Sequence, residues 1–406
     1  MRSARFLLVA GLVLGCRALF AAAQQPGAFR GSLDDPRIRY NSAPPRTAIE
    51  DLNRRLADGT LRLPRDPISG YLTPVLQALQ IPVESQVLVY TKTSLQFSSI
   101  APENPRAIYF NDTAAVGFVR NAPLLEAWAL DPQLGPIFYS LDQSPGSAGT
   151  PRFARETRCL ACHVSWETLA VPGPFVLTTF PRENEIQGAE GFAVDHRDDL
   201  AQRWGGWYVT GRRLPARHLG NLPLFTTAGL PARRSPPKAS LAGTIDLAGY
   251  PTPYSDVAAL MVLEHQAQAM NLMTLLSWEA HLGRADRVRE VAGELADYLL
   301  FVDEAPIVAP IQGSSGFTER FSALGPADSR GRSLRDLQLD RRLMKYPLSY
   351  MIYSPALRAL PRQAHDAVAS RLRAILSGRG TDPKYAHLTP ELRAAILEIV
   401  AETGGI

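Results

Sequence analysis

The composition is that of a folded globular protein: of 406 residues, 46% are hydrophobic and 20% are charged, which excludes an intrinsically disordered chain. The formal net charge of +4 is mild and no dense run of Lys or Arg occurs, so a nucleic-acid partner is not expected. The length allows one large domain or two domains of ordinary size.

The N-terminus has the pattern of a secretory signal peptide, which we predict to span residues 1–23. Arg2 and Arg5 precede a short apolar run, and Ala21–Ala23 offers a small-residue cleavage site. This pattern predicts export to the periplasm or another extracytoplasmic compartment of a bacterium. The alternative is a lipoprotein anchor, because Cys16 ends an imperfect lipobox. No later segment has the length and hydrophobicity of a transmembrane helix.

Residues 24–150 are predicted to form an N-terminal arm followed by a β-rich module. Thr47 and Glu50 fit a capping box at the start of a short helix. Short runs of β-branched and aromatic residues, separated by turn residues, then predict strands. These runs cover 86–90, 107–110, 115–119 and 137–139.

The most informative motif is Cys159-Leu160-Ala161-Cys162-His163, a C-x-x-C-H run of the kind that attaches c-type haem. Two thiols at this spacing can add to the two vinyl groups of one haem, and the adjacent imidazole can supply the proximal axial ligand of the iron. We expect the motif on a helix from about 152 to 168. A zinc half-site or a thioredoxin-like redox pair are the alternatives. A four-ligand zinc site needs a second pair of ligands, and no cysteine follows His163.

Residues 151–406 are predicted to be mostly helical. The strongest helix is expected from Ser255, as N-cap, to about Leu282, and the last opens with Thr389 as N-cap and Pro390 as first residue. Further helices are predicted at 288–301 and 364–376, and parts of 334–360. The fold class is therefore α+β, mainly α in the C-terminal part, with an added N-terminal β-rich module. The two regions could also form one continuous domain.

On the C-x-x-C-H run and the Gly173-Pro174 pair that follows it, the chain resembles the c-type cytochromes. In its general layout it is similar to large bacterial extracytoplasmic monohaem cytochromes. The resemblance implies one covalent haem c, held by Cys159, Cys162 and His163. It also implies that the carbonyl of Pro174 accepts a hydrogen bond from the ligand histidine, which fixes the ring and raises its basicity. Small class I cytochromes are essentially helical, so the β-rich module is an addition to that pattern.

The sixth iron ligand is open at this point. Small class I cytochromes use a methionine downstream of the motif, but no methionine lies between His163 and Met261 here. The principal candidates are His218, which lies near glycines, and His265, on an apolar face of the long predicted helix. Met261, His196 and an open coordination position are further alternatives.

These features predict an exported monohaem c-type cytochrome that transfers single electrons to and from a redox partner protein. Electron transfer is preferred to enzymatic turnover. The alternatives are a haem-dependent oxidoreductase, such as a peroxidase-like enzyme, and a haem-based sensor with an open distal site. The β-rich module could be a partner surface, a haem cover or a substrate pocket, and the sequence does not choose among these.

Overall fold

The computed structural model describes residues 27–144, 149–179, 191–222, 237–379 and 382–406. The predicted signal peptide and Cys16 lie outside these ranges. The described chain is a mixed α and β structure, with an antiparallel sheet in the N-terminal part and helices in the C-terminal part. The predicted fold class is confirmed at this level.

The strands follow one another in the N-terminal half of the chain. They are β1 (Val87–Val89), β2 (Arg106–Phe110), β3 (Ala114–Phe118), β4 (Leu124–Asp131), β5 (Gly135–Asp142), β6 (Ala154–Arg155), β7 (Leu177–Thr179), β8 (Gly191–Ala193) and β9 (Trp207–Tyr208). Seven of them form one sheet in the order β6-β5-β4-β3-β2-β1-β9, in which every pair is antiparallel. Strands β7 and β8 form a separate antiparallel pair.

One face of the sheet is directed toward the C-x-x-C-H run. Trp128 of β4 lies opposite Phe138 of β5, and Glu126 lies opposite Ser140. Because side chains alternate along a strand, these four residues share one face. Arg106 of β2 also lies on this face. The β2 residue that pairs with Gly117 comes two positions after Arg106, and Gly117 itself pairs with Glu126 of β4.

The helices are short in the N-terminal part and longer in the C-terminal part. They are α1 (Ala48–Ala57), α2 (Leu72–Ala78), α3 (Leu160–His163), α4 (Val257–His281), α5 (Ala285–Leu299), α6 (Phe317–Ala323), α7 (Pro355–Arg358), α8 (Arg362–Leu376) and α9 (Pro390–Thr403). Thr47 caps α1 and Thr389 caps α9, each with a side-chain oxygen that accepts a backbone N–H, as predicted. In the described ranges, none of the helices combines the length and hydrophobicity needed to cross a membrane.

Helix α4 is the central element of the C-terminal part, and 22 of its 25 residues are buried. A helix that is buried on all sides lies inside the core, unlike a surface helix with a single apolar face. Its N-cap is Asp256, whose carboxylate accepts hydrogen bonds from the N–H groups of Ala258 and Ala259. The predicted cap, Ser255, is instead held by the sheet, since its hydroxyl bonds Leu88 and Tyr208.

The predicted helix over 152–168 is wrong in length. Ala154 and Arg155 form β6 and pair with β5, after which a 3₁₀ turn at Thr157–Cys159 leads into the single turn of α3. Between 334 and 360 the structure has only a 3₁₀ helix at Tyr350–Tyr353 and α7. In both places, pairing or proline limits the helix to about one turn.

A single large cluster of buried apolar side chains connects the sheet to the helices. It includes Val116 of β3, Ile137 of β5, Leu272 of α4 and Leu295 of α5. Strands β6 and β9 follow residue 150 and still belong to the main sheet. The main sheet therefore contains strands from before and after the predicted domain boundary at residue 150.

Candidate haem-binding site

The C-x-x-C-H run lies at the edge of the sheet, where the 3₁₀ turn continues into α3. Cys159 is half-buried, Cys162 is exposed, and both thiols are free. Residues three apart lie on the same side of a helical turn, so the two thiols face one region of the surface. Trp166 follows three residues after His163, and 75% of it is exposed.

The imidazole of His163 is fixed by a hydrogen bond from Nδ1 to the carbonyl oxygen of Gly173, at 2.8 Å. A carbonyl can only accept, so the proton is on Nδ1 and the lone pair of the neutral ring is on Nε2. The backbone N–H of Gly173 also donates to the carbonyl of His163, at 3.0 Å. Two hydrogen bonds thus join this pair of residues and present Nε2 as the nitrogen that can bind a metal.

The predicted acceptor, Pro174, is wrong by one residue. Its carbonyl accepts a hydrogen bond from Nδ2 of Asn271 on α4, at 3.0 Å. The carbonyl of Gly173 is instead the acceptor for Nδ1 of His163, and the next carbonyl along the chain is directed toward α4. Asn271 was not among the residues that the sequence pointed to.

The loop between His163 and Gly173 is tightly turned and held at several points. The hydroxyl of Thr168 donates toward the carbonyl of His163, and Leu169 and Ala170 both adopt left-handed backbone conformations. Such conformations are unfavourable for residues with a Cβ and persist only where the surroundings impose them. Here the N–H of Phe29, from the N-terminal arm, donates to the carbonyl of Leu169 at 2.8 Å.

A side chain at position 173 would require the amide of Asn271 to move. A Cβ built there would overlap Oδ1 of Asn271 and would also approach Thr168 closely. The side chain of α4 therefore packs directly against the backbone of the loop that holds His163.

Two aromatic rings flank the imidazole of His163. Its centroid lies 4.5 Å from that of Phe138 on β5 and 5.0 Å from that of Phe175. Burial lowers the pKa of His163 to about 4, partly opposed by the hydrogen bond to Gly173. The ring is therefore neutral at physiological pH, which is the form that coordinates metal ions.

Charged side chains on the sheet face lie within electrostatic reach of the motif. Glu126 forms an ion pair with Arg106, at 2.9 Å, and its two carboxylate oxygens share one hydrogen bond from the hydroxyl of Ser94. Burial, together with the carboxylates of Glu126 and Glu156, raises the pKa of Cys159 to about 12. A thiol in this environment is a poor redox nucleophile, since thioredoxin-like cysteines have a lowered pKa.

His265, predicted as a distal iron ligand, lies in a hydrogen-bonded cluster inside the core. Its side chain is 0% exposed, and Nδ1 lies 2.9 Å from Nδ1 of His196 while Nε2 lies 2.7 Å from the hydroxyl of Ser349. The ring is parallel to that of Tyr298, at 5.1 Å. Both nitrogens are occupied, so the structure places His265 in a buried hydrogen-bond chain and not at an open ligand position.

His218 is also buried, with its ring edge-on to Trp204 at 5.3 Å between centroids. Burial lowers the pKa of His218 to about 4, so this imidazole is neutral at physiological pH. Its role as a distal ligand stays a prediction. Met261 is buried in α4, within the main apolar cluster.

The donors at the site are one imidazole and two thiols. Over the part of the chain that the structure describes, no group of three or more His, Cys, Asp or Glu side chains is arranged to hold a metal ion. The iron of haem takes four ligands from the porphyrin. One imidazole could therefore supply an axial ligand, while the two thiols could attach the haem through its vinyl groups. Cys159, Cys162 and His163 are the residues that could hold it.

Comparisons with protein families, with curated protein sequences and with solved structures gave no match.

Proposed function

We propose that the protein is an exported monohaem c-type cytochrome that transfers single electrons. One haem c would be attached through Cys159 and Cys162, with Nε2 of His163 as the proximal ligand. Haem c supplies an iron that cycles between Fe(III) and Fe(II). The residues of the chain would attach the cofactor and fix the imidazole, and the rings of Phe138 and Phe175 flank that imidazole.

The observation that carries the proposal is the state of His163 within the C-x-x-C-H run. A neutral imidazole, held through Nδ1–H by a backbone carbonyl, with its lone pair on Nε2, is the arrangement in which histidine binds a metal. The raised pKa of Cys159 weighs against the rival redox pair.

The cellular location follows from the same proposal. C-type haem is attached outside the bacterial cytoplasm in the cytochromes that this chain resembles, and the N-terminal signal pattern fits a periplasmic or other extracytoplasmic protein. Its partner would be a redox protein. If Cys16 is lipidated instead, the same site would be anchored at the membrane surface.

The test is expression of the full chain in a bacterial host that matures c-type cytochromes. We expect the exported protein to carry the added mass of one haem, which stays bound under denaturing conditions because the bonds are covalent. The double variant C159S/C162S should lose that mass. Cys16→Ser is the matched control: it removes the third cysteine and should leave haem attachment unchanged. Free thiols at 159 and 162 in the wild-type protein would overturn the proposal.

The spectrum of the loaded protein separates electron transfer from the alternatives. A low-spin iron in both oxidation states is expected for a six-coordinate electron carrier. A high-spin iron that binds carbon monoxide rapidly would instead favour a haem-dependent oxidoreductase or a sensor. His218→Ala then tests the remaining predicted distal ligand, since its loss should convert a low-spin spectrum to a high-spin one.

A further inference from the structure

We propose that Asn271 is a positioning residue for the proximal ligand, in that its amide holds the Gly173-Pro174 segment and so sets the hydrogen bond that His163 donates. This inference rests on the proposed haem function. Asn271 lies on α4, far along the chain from the C-x-x-C-H run, and its side-chain hydrogen bonds go to Pro174 and Gln268.

Asn271 is a buried amide within an apolar stretch of the sequence of α4. The side chain is 1% exposed, and its neighbours Met270, Leu272 and Met273 belong to the buried apolar cluster. Burying an amide is unfavourable unless its groups are hydrogen-bonded. Leucine would suit such a position on packing grounds alone, so the presence of an amide points to a specific contact.

The donor side of the amide has two acceptors. Nδ2 donates to the carbonyl of Pro174 at 3.0 Å and to Oε1 of Gln268 at 3.3 Å. The opposite orientation of the amide would bring Oδ1 against the carbonyl of Pro174, where two acceptors repel each other. The orientation of Asn271 is therefore fixed by its partners.

The acceptor side of the amide faces Gly173. Oδ1 of Asn271 is buried and has no hydrogen-bond partner among the described residues, and it occupies the place that a Cβ on Gly173 would take. The two ends of the amide thus contact successive residues of the segment, Gly173 through Oδ1 and Pro174 through Nδ2. The carbonyl that accepts from His163 lies in the peptide bond between these two contacts.

This arrangement links α4 to the electronic state of the ligand. A firmly held acceptor strengthens the bond from Nδ1–H, which raises the basicity of the imidazole and stabilises Fe(III) relative to Fe(II). If the amide is removed, the peptide between Gly173 and Pro174 loses its hydrogen bond to α4, and the bond that Nδ1–H of His163 donates should weaken. The midpoint potential of the haem should then rise.

The first test is the midpoint potential of the full-length, haem-loaded variant Asn271→Leu. We expect haem attachment to persist. The affinity of the site for Fe(III) relative to Fe(II) should fall about tenfold, which corresponds to a rise of about 59 mV in the midpoint potential for one electron. Gln266→Leu is the matched control, because Gln266 is a buried amide of the same helix that bonds Asn111 and Tyr350 instead. It should lose comparable stability without a shift in potential.

The second test needs no haem. In full-length C159S/C162S protein with 15N-labelled histidine, NMR should show His163 with its proton on Nδ1, and Asn271→Leu should shift the ring toward a mixture of tautomers. Asn271→Ser takes the place of the leucine variant if that protein does not accumulate. An unchanged tautomer and potential, or the same change in Gln266→Leu, would overturn the inference while haem attachment stands. Failure of the wild type to attach haem would overturn the proposed function, and the tautomer measurement would then still show whether Asn271 sets the hydrogen bond that His163 donates.

Discussion

His163 and His265 show how the partners of a histidine decide which of its nitrogens is left for a ligand. At His163 a backbone carbonyl takes the Nδ1 proton, and the geometry leaves Nε2 for a ligand role. At His265 the hydroxyl of Ser349 and the ring of His196 take one nitrogen each. The chemistry of the residue is the same in both places, so the difference in role comes entirely from the partners.

The buried pair of His196 and His265 should make the protein sensitive to acid. Burial lowers the pKa of His265 to about 3, and burial with the neighbouring imidazole lowers the pKa of His196 well below its ordinary value. The unfolded chain binds a proton near its ordinary pKa of about 6.5 while folded His265 does not, so its contribution to stability is present above that pH and is lost as the pH falls toward 3.

We predict that His265→Gln, which can keep a hydrogen bond to Ser349 but does not titrate, will be less sensitive to acid than the wild type. Between pH 7 and pH 5 the stability advantage of the wild type should shrink by about 2 kcal/mol, as expected for one histidine that stays neutral in the folded state. Urea unfolding at the two pH values measures this difference. An advantage that stays constant would show that His265 is protonated in the folded protein.

At the scale of elements, local signals in the sequence predicted what local forces decide. Thr47 and Thr389 are N-caps, as predicted, because such a cap needs only the hydroxyl and a nearby backbone N–H. Strand β4 was missed, because its segment from Leu124 to Asp131 is rich in Leu, Ala and Glu, which favour helix. It becomes a strand because β3 and β5 pair with both of its edges.

In the candidate site, too, the residues that are close together in the sequence were predicted, and the distant one was not. The C-x-x-C-H run is readable because all five residues are contiguous, and Gly173-Pro174 was noticed because it follows closely. Asn271 was missed because its partner is distant in sequence and the contact exists only after α4 packs against the loop. The signal that could have found it is a single Asn within the apolar run of α4, where an amide needs a partner.

The N-terminus of α4 provides a test of how this helix is anchored. The carboxylate of Asp256 accepts from Ala258 and Ala259 and also from the N–H groups of Ser314 and Ser315, so it ties the helix to a separate loop. We expect Asp256→Ala to lower the free energy of unfolding by more than 2 kcal/mol, because buried donors lose a charged acceptor.

The matched control for this cap is Thr389→Ala at the start of α9, where the hydroxyl accepts from the N–H of Leu392 on an exposed surface. We expect Thr389→Ala to lower the free energy of unfolding by about 1 kcal/mol, the usual value for loss of an N-cap. Chemical denaturation of both variants gives the comparison. Equal losses would mean that the bonds to Ser314 and Ser315 contribute nothing measurable.

For the whole molecule, the question is whether the sheet and the helices are one folding unit. The buried apolar cluster is continuous from β3 to α4, and polar contacts also cross between the two parts. Gln266 of α4 donates to the carbonyl of Asn111 at 2.8 Å, and the buried Arg335 forms an ion pair with the partly exposed Asp112. Each contact joins the turn between β2 and β3 to the helical part, so loosening one part removes partners from the other.

We therefore predict that the sheet and α4 open with the same free energy. Native-state hydrogen exchange reports this directly: the amide protons of Val116 in β3 and Met270 in α4 should have equal opening free energies and the same dependence on urea. Gln266→Leu should lower both by a similar amount, about 1–2 kcal/mol, because it removes the bond to Asn111. If Val116 exchanged at a lower free energy while Met270 stayed protected, the residues before 150 would form a separate unit, and the continuous core would be an interface between two domains.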